Sequence, residues 1–431
     1  MRPSYFNTFF DYDSKKIGYN SLSNEFIILE PMLHELYDAA TKEKNLPELN
    51  EIHPEFYQFL VQKKFIVEDN LDEVAIVKQL QARVDFDENN YVLVINPTMN
   101  CNFKCWYCYE SHIKDSKMSS EIVTKVIKFS DRIIEQKKVK YFHLAWFGGE
   151  PLLYAEEVIF PILKELHHNF KSNGIEFSSS FTTNGLLINE HFIDYFKAHD
   201  ANDFQITLDG DEQTHDTVRF VSKTRGSYRQ ILSNIKLLAG RDCTVTVRIN
   251  ISDQTVAGLF NIADDFSSFG EELMKKITFS FQKVWQELKP IDAGIDASIA
   301  YFRRLGYKVN YIGGRADTVR NSCYADKKNQ ATINYNGDVF KCTARDFTSE
   351  TKEGVIDIDG NLSWNELEQK RMNIKFQNKP CLRCKLLPIC NGGCSQNALE
   401  NEGRDYCVYD FDEQKKNDVI YHKFLENVVY A

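Results

Sequence analysis

The chain has 431 residues, 43% of them hydrophobic, and a formal net charge of −10. Such a length allows about two or three domains with a sizeable core, and the acidic balance argues against nucleic acid as the main partner, because phosphate binding needs a positive footprint. No apolar run approaches the roughly 18 residues that span a bilayer, and the start, Met1-Arg-Pro-Ser-Tyr-Phe-Asn, lacks the apolar core of a secretory signal. A cytoplasmic protein without a membrane partner is therefore expected, in which eleven cysteines point to metal or redox chemistry rather than disulfides.

Residues 1–90 read as a small unit of their own. A strand around Tyr5 to Tyr12, a turn at Asp13-Ser-Lys-Lys and a second strand from Ile17 come first. A helix opening at Glu30-Pro31 places Leu33, Leu36, Tyr37 and Ala40 on one face, and a second carries Phe56, Phe59 and Leu60. The strand Phe65–Val67 and the acidic stretch Glu68–Glu73 follow, a winged helix-turn-helix layout. From Tyr91 to Gln282 six strands, Val92–Ile95, Tyr141–Phe147, Phe177–Phe181, Phe204–Leu208, Val245–Ile251 and Ile277–Phe281, alternate with helical segments such as the one bearing Ile122, Val126, Phe129 and Ile133. That alternation predicts an α/β fold with a parallel sheet. A bridging helix near Ala293–Gly306 and a closing helix over Phe411–Val429 complete the pattern.

The chemistry sits at strand ends. Cys101-x3-Cys105-x2-Cys108 directly follows the first strand of the alternating region; three thiolates leave one iron of a four-iron cubane without a protein ligand and open to a small molecule. A structural zinc site, the alternative, needs a closed set of four ligands. After the second strand comes Phe147-Gly148-Gly149-Glu150-Pro151, where glycines permit close main-chain approach to a ligand and proline stops further pairing. Thr182-Thr183-Asn184-Gly185, Gln205-Ile-Thr207-Leu-Asp209-Gly210, the stretch Asp211 to Arg219, and Asn250 are further polar tips, each of which reads equally as a cap or turn. His143, inside a strand, reads as a satisfied core histidine, and Cys243 as a small buried hydrophobe. A second set runs Cys323-x13-Gly337-x4-Cys342, then Cys381-x2-Cys384-x5-Cys390-x3-Cys394, then Cys407; paired thiolates of this kind suit zinc as well as iron-sulfur clusters.

Taken together, the cysteine triplet with Tyr107 before its last member and the downstream Gly148-Gly149-Glu150 resemble the motifs of radical S-adenosylmethionine (SAM) enzymes, and the seven C-terminal cysteines resemble the SPASM domain of peptide maturases in that family. The resemblance implies a partial (β/α)6 barrel at 91–285 with its active site at the C-terminal mouth of the strands, a winged-helix-like leader-peptide recognition domain at 1–90, a bridging region at 286–320, a Cys-rich SPASM domain at 321–410 and a C-terminal helix at 411–431. It implies that Cys101, Cys105 and Cys108 hold the radical-generating cluster, that Glu150 receives the ammonium of SAM and Arg219 its carboxylate, and that Tyr107, Gly148, Gly149, Thr183, Asn184, Thr207 and Asn250 line the cofactor. Two auxiliary 4Fe-4S clusters make three in all. Cys381, Cys384, Cys390 and Cys407 would enclose the distal one; Cys323, Cys342 and Cys394 would hold the proximal one, completed by an open iron, a ligand such as Asp326, or a substrate thiolate.

The implied activity is modification of a ribosomally synthesised precursor peptide by 5'-deoxyadenosyl radical hydrogen abstraction, forming a thioether or carbon-carbon cross-link, with flavodoxin or ferredoxin as electron donor. A rival is the anaerobic sulfatase maturase, which carries an aspartate directly after the GX4C cysteine, whereas here Cys342 is followed by Thr343-Ala-Arg-Asp346. A non-catalytic iron-sulfur protein that binds peptide or carries electrons is the other alternative, opposed by the open-iron triplet beside the GGE motif.

Overall fold

A computed structural model of the protein describes residues 1–222, 224–311 and 322–429. Of the expected bridging region 286–320, residues 312–320 lie outside that description. The chain forms two compact units, one of Met1–Asp87, Gly313–Lys328 and Lys370–Ala431, the other of Glu88–Ile312 and Asn329–Gln369. Among the described residues no helix is long and apolar enough to cross a membrane.

In the first unit, β1 (Asn7–Tyr12), β2 (Lys15–Asn20) and β3 (Glu25–Leu29) form an antiparallel meander in that order. Asp13 and Ser14 both take positive φ, 47° and 61°, which gives the two-residue turn the twist a hairpin needs. Helices Pro31–Lys42, Leu46–Ile52 and Pro54–Gln62 each begin with proline in the first turn, where its missing N–H leaves nothing unsatisfied. Their apolar faces close on Ile27, Leu29, Tyr37, Leu46, Leu49, Phe56 and Leu60. The sequence pattern omits β3 and the helix Leu46–Ile52; the one is five residues and the other seven, too short to display a clear period. It also ends the unit in an acidic stretch, whereas Asp72 caps a helix over Glu73–Asp85 by accepting the Ala75 N–H at 2.9 Å.

The second unit is built on an eleven-stranded sheet. Its strands are β4 (Asn90–Ile95), β5 (Tyr141–Trp146), β6 (Glu176–Thr183), β7 (Ala201–Leu208), β8 (Thr244–Ile251), β9 (Ile277–Lys283), β10 (Lys308–Tyr311), β11 (Gln330–Ile333), β12 (Asp338–Phe340), β13 (Gly354–Ile356) and β14 (Leu362–Trp364). The order is β10-β9-β8-β7-β6-β5-β4-β11-β12-β13-β14, parallel from β10 through β11 and antiparallel beyond. The six expected strands are the central ones, and the parallel run is extended at its two flanks by β10 and β11. Each of these has four residues, the lower limit of the length over which a strand pattern shows. Helices including Ser120–Gln136, capped by Ser119, and Glu190–Lys197, capped by Asn189, pack on one face and bury Phe142, Leu144, Trp146, Phe181 and Phe204 of the strands. The alternate residues, among them His143, Ser178, Ser180, Gln205, Thr246, Arg248 and Ser280, give the opposite face a polar lining. His143 is satisfied there, its ring nitrogens lying 2.8 and 2.9 Å from the Ser178 and Ser180 hydroxyls. Cys243 is fully buried in the core. Because the strands are parallel, their C-terminal ends share one edge, and the loops bearing the cysteine triplet, Glu150, Asn184 and Asp209 all leave from it.

Candidate active site

The loop after β4 is fixed by hydrogen bonds to the segment 113–118. Met99 N–H donates to Ser116 Oγ at 3.0 Å, Ile113 N–H to Met99 O at 3.1 Å and Met118 N–H to Pro97 O at 2.8 Å. Phe103, 2% exposed, is driven into the barrel core and carries Cys101 and Cys105 to its margin. Burial pushes the Cys101 thiol up to about 12, with the Glu150 carboxylate adding to it, and burial pushes Cys108 up to about 11. Without a cation these thiols stay protonated; a metal centre supplies the positive charge that draws off their protons. All three are free of disulfides, and Cys105 lies within electrostatic reach of both the others. Among the described residues no three His, Cys, Asp or Glu side chains focus on one point as ligands of a single ion do; a cubane instead draws each thiolate to a different iron. The donor set fits such a cluster.

Gly148 and Gly149 bring the β5 corner against this loop. Gly149 N–H donates to Thr98 O at 3.1 Å and Glu150 N–H to Asn100 O at 2.9 Å. A Cβ on Gly149 would lie 2.2 Å from Asn100 O, and Gly148, at φ +100°, has Thr98 O 2.6 Å from where its Cβ would be. The close main-chain approach that these glycines permit is thus to the cysteine loop itself. Glu150 is fully buried, and Oε1 accepts from Leu152 N–H at 3.0 Å and Thr183 Oγ1 at 2.7 Å while Oε2 accepts from Asn184 N–H at 2.8 Å. A carboxylate has about four acceptor positions, so Oε2 keeps one for a further donor. Asn184 in turn donates Nδ2 to Asn102 Oδ1 at 2.7 Å, joining the β6 tip to the cysteine loop.

Across the mouth, Tyr107 is the hub of a second network. Its hydroxyl donates to Asp209 Oδ2 at 2.6 Å and accepts from Arg219 Nη2 at 2.8 Å and Asn250 Nδ2 at 3.1 Å. Arg219 also donates Nε to Asp209 Oδ2 at 2.7 Å. Burial works against the Arg219 cation, and Asp209 and Tyr107 more than offset it, holding the guanidinium charged. Asp209 Oδ1 is buried without a hydrogen-bond partner, an acceptor left over at the site. Thr207 is buried on β7 in register with Arg248 of β8.

Three features at the mouth carry no motif in the sequence. Arg248 donates Nε to Asn250 Oδ1 at 2.8 Å, and burial lowers its pKa. Glu110, pushed up to about 8 by burial and then by Asp346, has a buried Oε2 without a hydrogen-bond partner. Asp346 accepts from Ser111 N–H at 2.9 Å, Tyr109 donates its hydroxyl to Thr343 O at 2.8 Å, and the Tyr109 ring stacks on Trp285 at 5.3 Å. The period-2 pattern marks Arg248 as a position on the polar face; nothing local marks the other two.

Residues 95–264 match the family model of the radical SAM superfamily. That stretch is a radical SAM domain. It is 23% identical over 354 residues to a cysteine-type anaerobic sulfatase-maturating enzyme of Clostridium novyi, covering 72% of this chain and 89% of that one. It is 22% identical to the radical SAM cyclopropyl synthase TigE of Paramaledivibacter caminithermalis over 84% of this chain and 80% of that one. Among solved structures, anSMEcpe with bound AdoMet aligns with TM-score 0.59 at 18% identity over 78% of this chain and 97% of that chain. Streptococcus suis SuiB aligns with TM-score 0.51 at 15% identity over 94% and 98%. These likenesses establish the fold, and the match of residues 95–264 to the superfamily implies SAM and one 4Fe-4S cluster as cofactors.

The chain also gathers C-terminal thiols within its first unit. Cys381, Cys384, Cys390 and Cys407 line one cavity whose other walls include Leu386, Leu387, Tyr406 and Val408. Burial pushes Cys390 up to about 12. Gly392, at φ +70°, has the Cys381 Sγ 3.5 Å from its Cβ position. Four free thiols around an apolar space fit a cluster of four irons. Cys323 and Cys394 belong to the first unit and Cys342 to the second. Asp326, considered above as a further ligand, is engaged: Oδ1 accepts from Ser395 N–H at 2.9 Å and Oδ2 pairs with Lys375 at 2.5 Å.

Proposed function

We propose that the protein is a radical SAM enzyme that modifies a ribosomally made precursor peptide, joining a substrate carbon into a thioether or carbon-carbon cross-link. The observation that carries the reading is the mouth of the β4–β9 strands, where a three-thiol loop, a buried carboxylate with a remaining acceptor position and a polar lining come together. Cys101, Cys105 and Cys108 would hold the radical-generating cluster. Glu150 and the unpartnered Asp209 Oδ1 would accept donors of SAM, beside Gly148, Gly149, Thr183, Asn184 and Thr207. When bound, cluster and SAM supply one-electron cleavage of a sulfonium and so a hydrogen-abstracting carbon radical. The chain's own residues bind, orient and shield: Tyr107, Arg219 and Asn250 hold the walls in one geometry, and Arg248 offers the substrate a guanidinium suited to a carboxylate or carbonyl.

A peptide substrate is supported by SuiB, solved bound to its precursor peptide SuiA. The first unit would take the leader: β3 is an edge of its sheet, and Ile28 on it is 55% exposed, so a peptide strand could add there through main-chain hydrogen bonds. The SPASM-type cysteines would bring auxiliary clusters, one of them within Cys381, Cys384, Cys390 and Cys407; flavodoxin or ferredoxin would supply electrons. Sulfatase maturation is the second reading, favoured by the Clostridium novyi relative and by Asp346, whose carboxylate is held against Ser111 near the cysteine loop.

The test is anaerobic incubation of reconstituted enzyme with SAM, dithionite and any short precursor peptide that neighbouring reading frames encode. The expected result is 5'-deoxyadenosine together with a peptide lighter by two hydrogens. An unmodified peptide, alongside oxidation of a Cys- or Ser-bearing sulfatase segment to formylglycine, would give the function to the second reading.

A further inference from the structure

The cavity of Cys381, Cys384, Cys390 and Cys407 has a single charged residue in its lining, Lys416. This lysine stands in the first turn of the helix Glu413–Phe424, started by Asp412, whose carboxylate accepts the Gln414 and Lys415 N–H groups. Its side chain is only 14% exposed, and its ammonium pairs with Glu413 at 2.5 Å while the glutamate itself is 79% exposed. The rest of the lining is apolar or aromatic apart from the thiols. Burial opposes the charge on Lys416, yet the bond to Glu413 and the nearness of Cys384 and Cys407 outweigh it and raise the ammonium's hold on its proton. Lys416 is therefore a paired ammonium in the wall that the four thiols also line, with most of its side chain out of water.

Resting on the reading of these thiols as an auxiliary cluster site, we infer that Lys416 is a positioning residue for electrons: it raises the reduction potential of the distal cluster and makes it the better electron acceptor. Reduction takes the cluster core from 2+ to 1+ by one electron from a low-potential donor, with no bond made or broken and no proton moved, so the four-thiolate site gains one negative charge. A fixed cation beside an apolar cavity favours that reduced state, and cluster potentials respond to local charge and solvent exposure. Glu413 works against it as a partial, solvent-screened counter-charge.

The experiment is an EPR-monitored redox titration with dithionite of the full, anaerobically reconstituted chain, the distal signal being identified as the one lost in Cys390→Ser. Lys416→Met should move the distal midpoint to more negative potential, Lys416→Arg should restore most of it, and Glu413→Gln should move it the opposite way by a smaller amount. A distal midpoint unchanged in Lys416→Met at full iron content, or shifted in one direction by both Lys416→Met and Glu413→Gln, overturns the inference. If Lys416→Met fails to take up iron, Glu413→Gln decides, since it keeps the lysine: a midpoint that does not rise overturns the proposal. A wild-type chain without iron beyond the N-terminal cluster would instead overturn the auxiliary-cluster reading on which the inference rests.

Discussion

Asp209 and Arg219 form an ion pair with side-chain exposures of 1% and 10%, and in such surroundings each charge depends on the other. A buried pair contributes little net stability over an apolar substitute, but removing one partner strands the other, at a cost of about 3–5 kcal/mol. Asp209→Asn should accordingly lower unfolding stability by that amount in urea titration and detach Tyr107 from its acceptor. His215 lies beneath the same pair, accepting the Asp209 N–H at 3.2 Å on Nδ1 and facing Ser227 Oγ at 3.0 Å on Nε2. Burial, with Arg219 adding repulsion, holds its pKa well below the usual 6.5. The unfolded chain therefore takes up a proton that the native state refuses, so this contribution is complete above the unfolded pKa and is lost as pH falls below it. Stability should begin to drop as pH falls through about 6.5 and go on dropping until the depressed native pKa is reached, and His215→Asn should flatten that slope by up to about 1.4 kcal/mol per pH unit; an identical slope in the variant would exclude His215 as its source.

At the scale of the element, the cysteine loop is held by its neighbours more than by itself. Its turns are stapled to 113–118 and to the Gly149–Glu150 corner, and Phe103 is its anchor in the core. Phe103→Ala should cost about 3–5 kcal/mol, and the thiols it positions should lose their register. Iron analysis of the reconstituted variant should show a deficit of about four irons per chain, one cluster's worth, while iron elsewhere is retained. The same element explains why the GGE corner tolerates no larger residues: the backbone oxygens of Thr98 and Asn100 occupy the space that a Cβ would need.

For the whole molecule, the N-terminal triplet and the C-terminal thiols make separable contributions. On the proposed reading of three clusters, replacing Cys101, Cys105 and Cys108 together by Ala should abolish reductive SAM cleavage, read as 5'-deoxyadenosine, and leave about eight of roughly twelve irons per chain. Undiminished 5'-deoxyadenosine from that variant would move the active site elsewhere. The two units bear on this differently: the cysteine loop and the whole parallel sheet lie in one, and the cavity of four thiols lies in the other.

The central strands, their helices and the polar residues at their tips are legible in the amino-acid pattern, because hydrophobic period and turn chemistry are local properties that survive without a fold. The short flanking strands β10 and β11 are not, since four residues acquire strand character only when a neighbour supplies their hydrogen bonds. Nor is the joining of Tyr107 to Asp209, Arg219 and Asn250, separated by 102, 112 and 143 residues. Cys381 through Cys407 announce themselves by spacing, whereas Lys416 is one lysine among the 52 basic residues of the chain until its helix sets it against the thiols. Local composition decides which residues are able to do chemistry; long-range packing decides which of them meet, because only in the closed fold do burial and the exclusion of water give those meetings their strength.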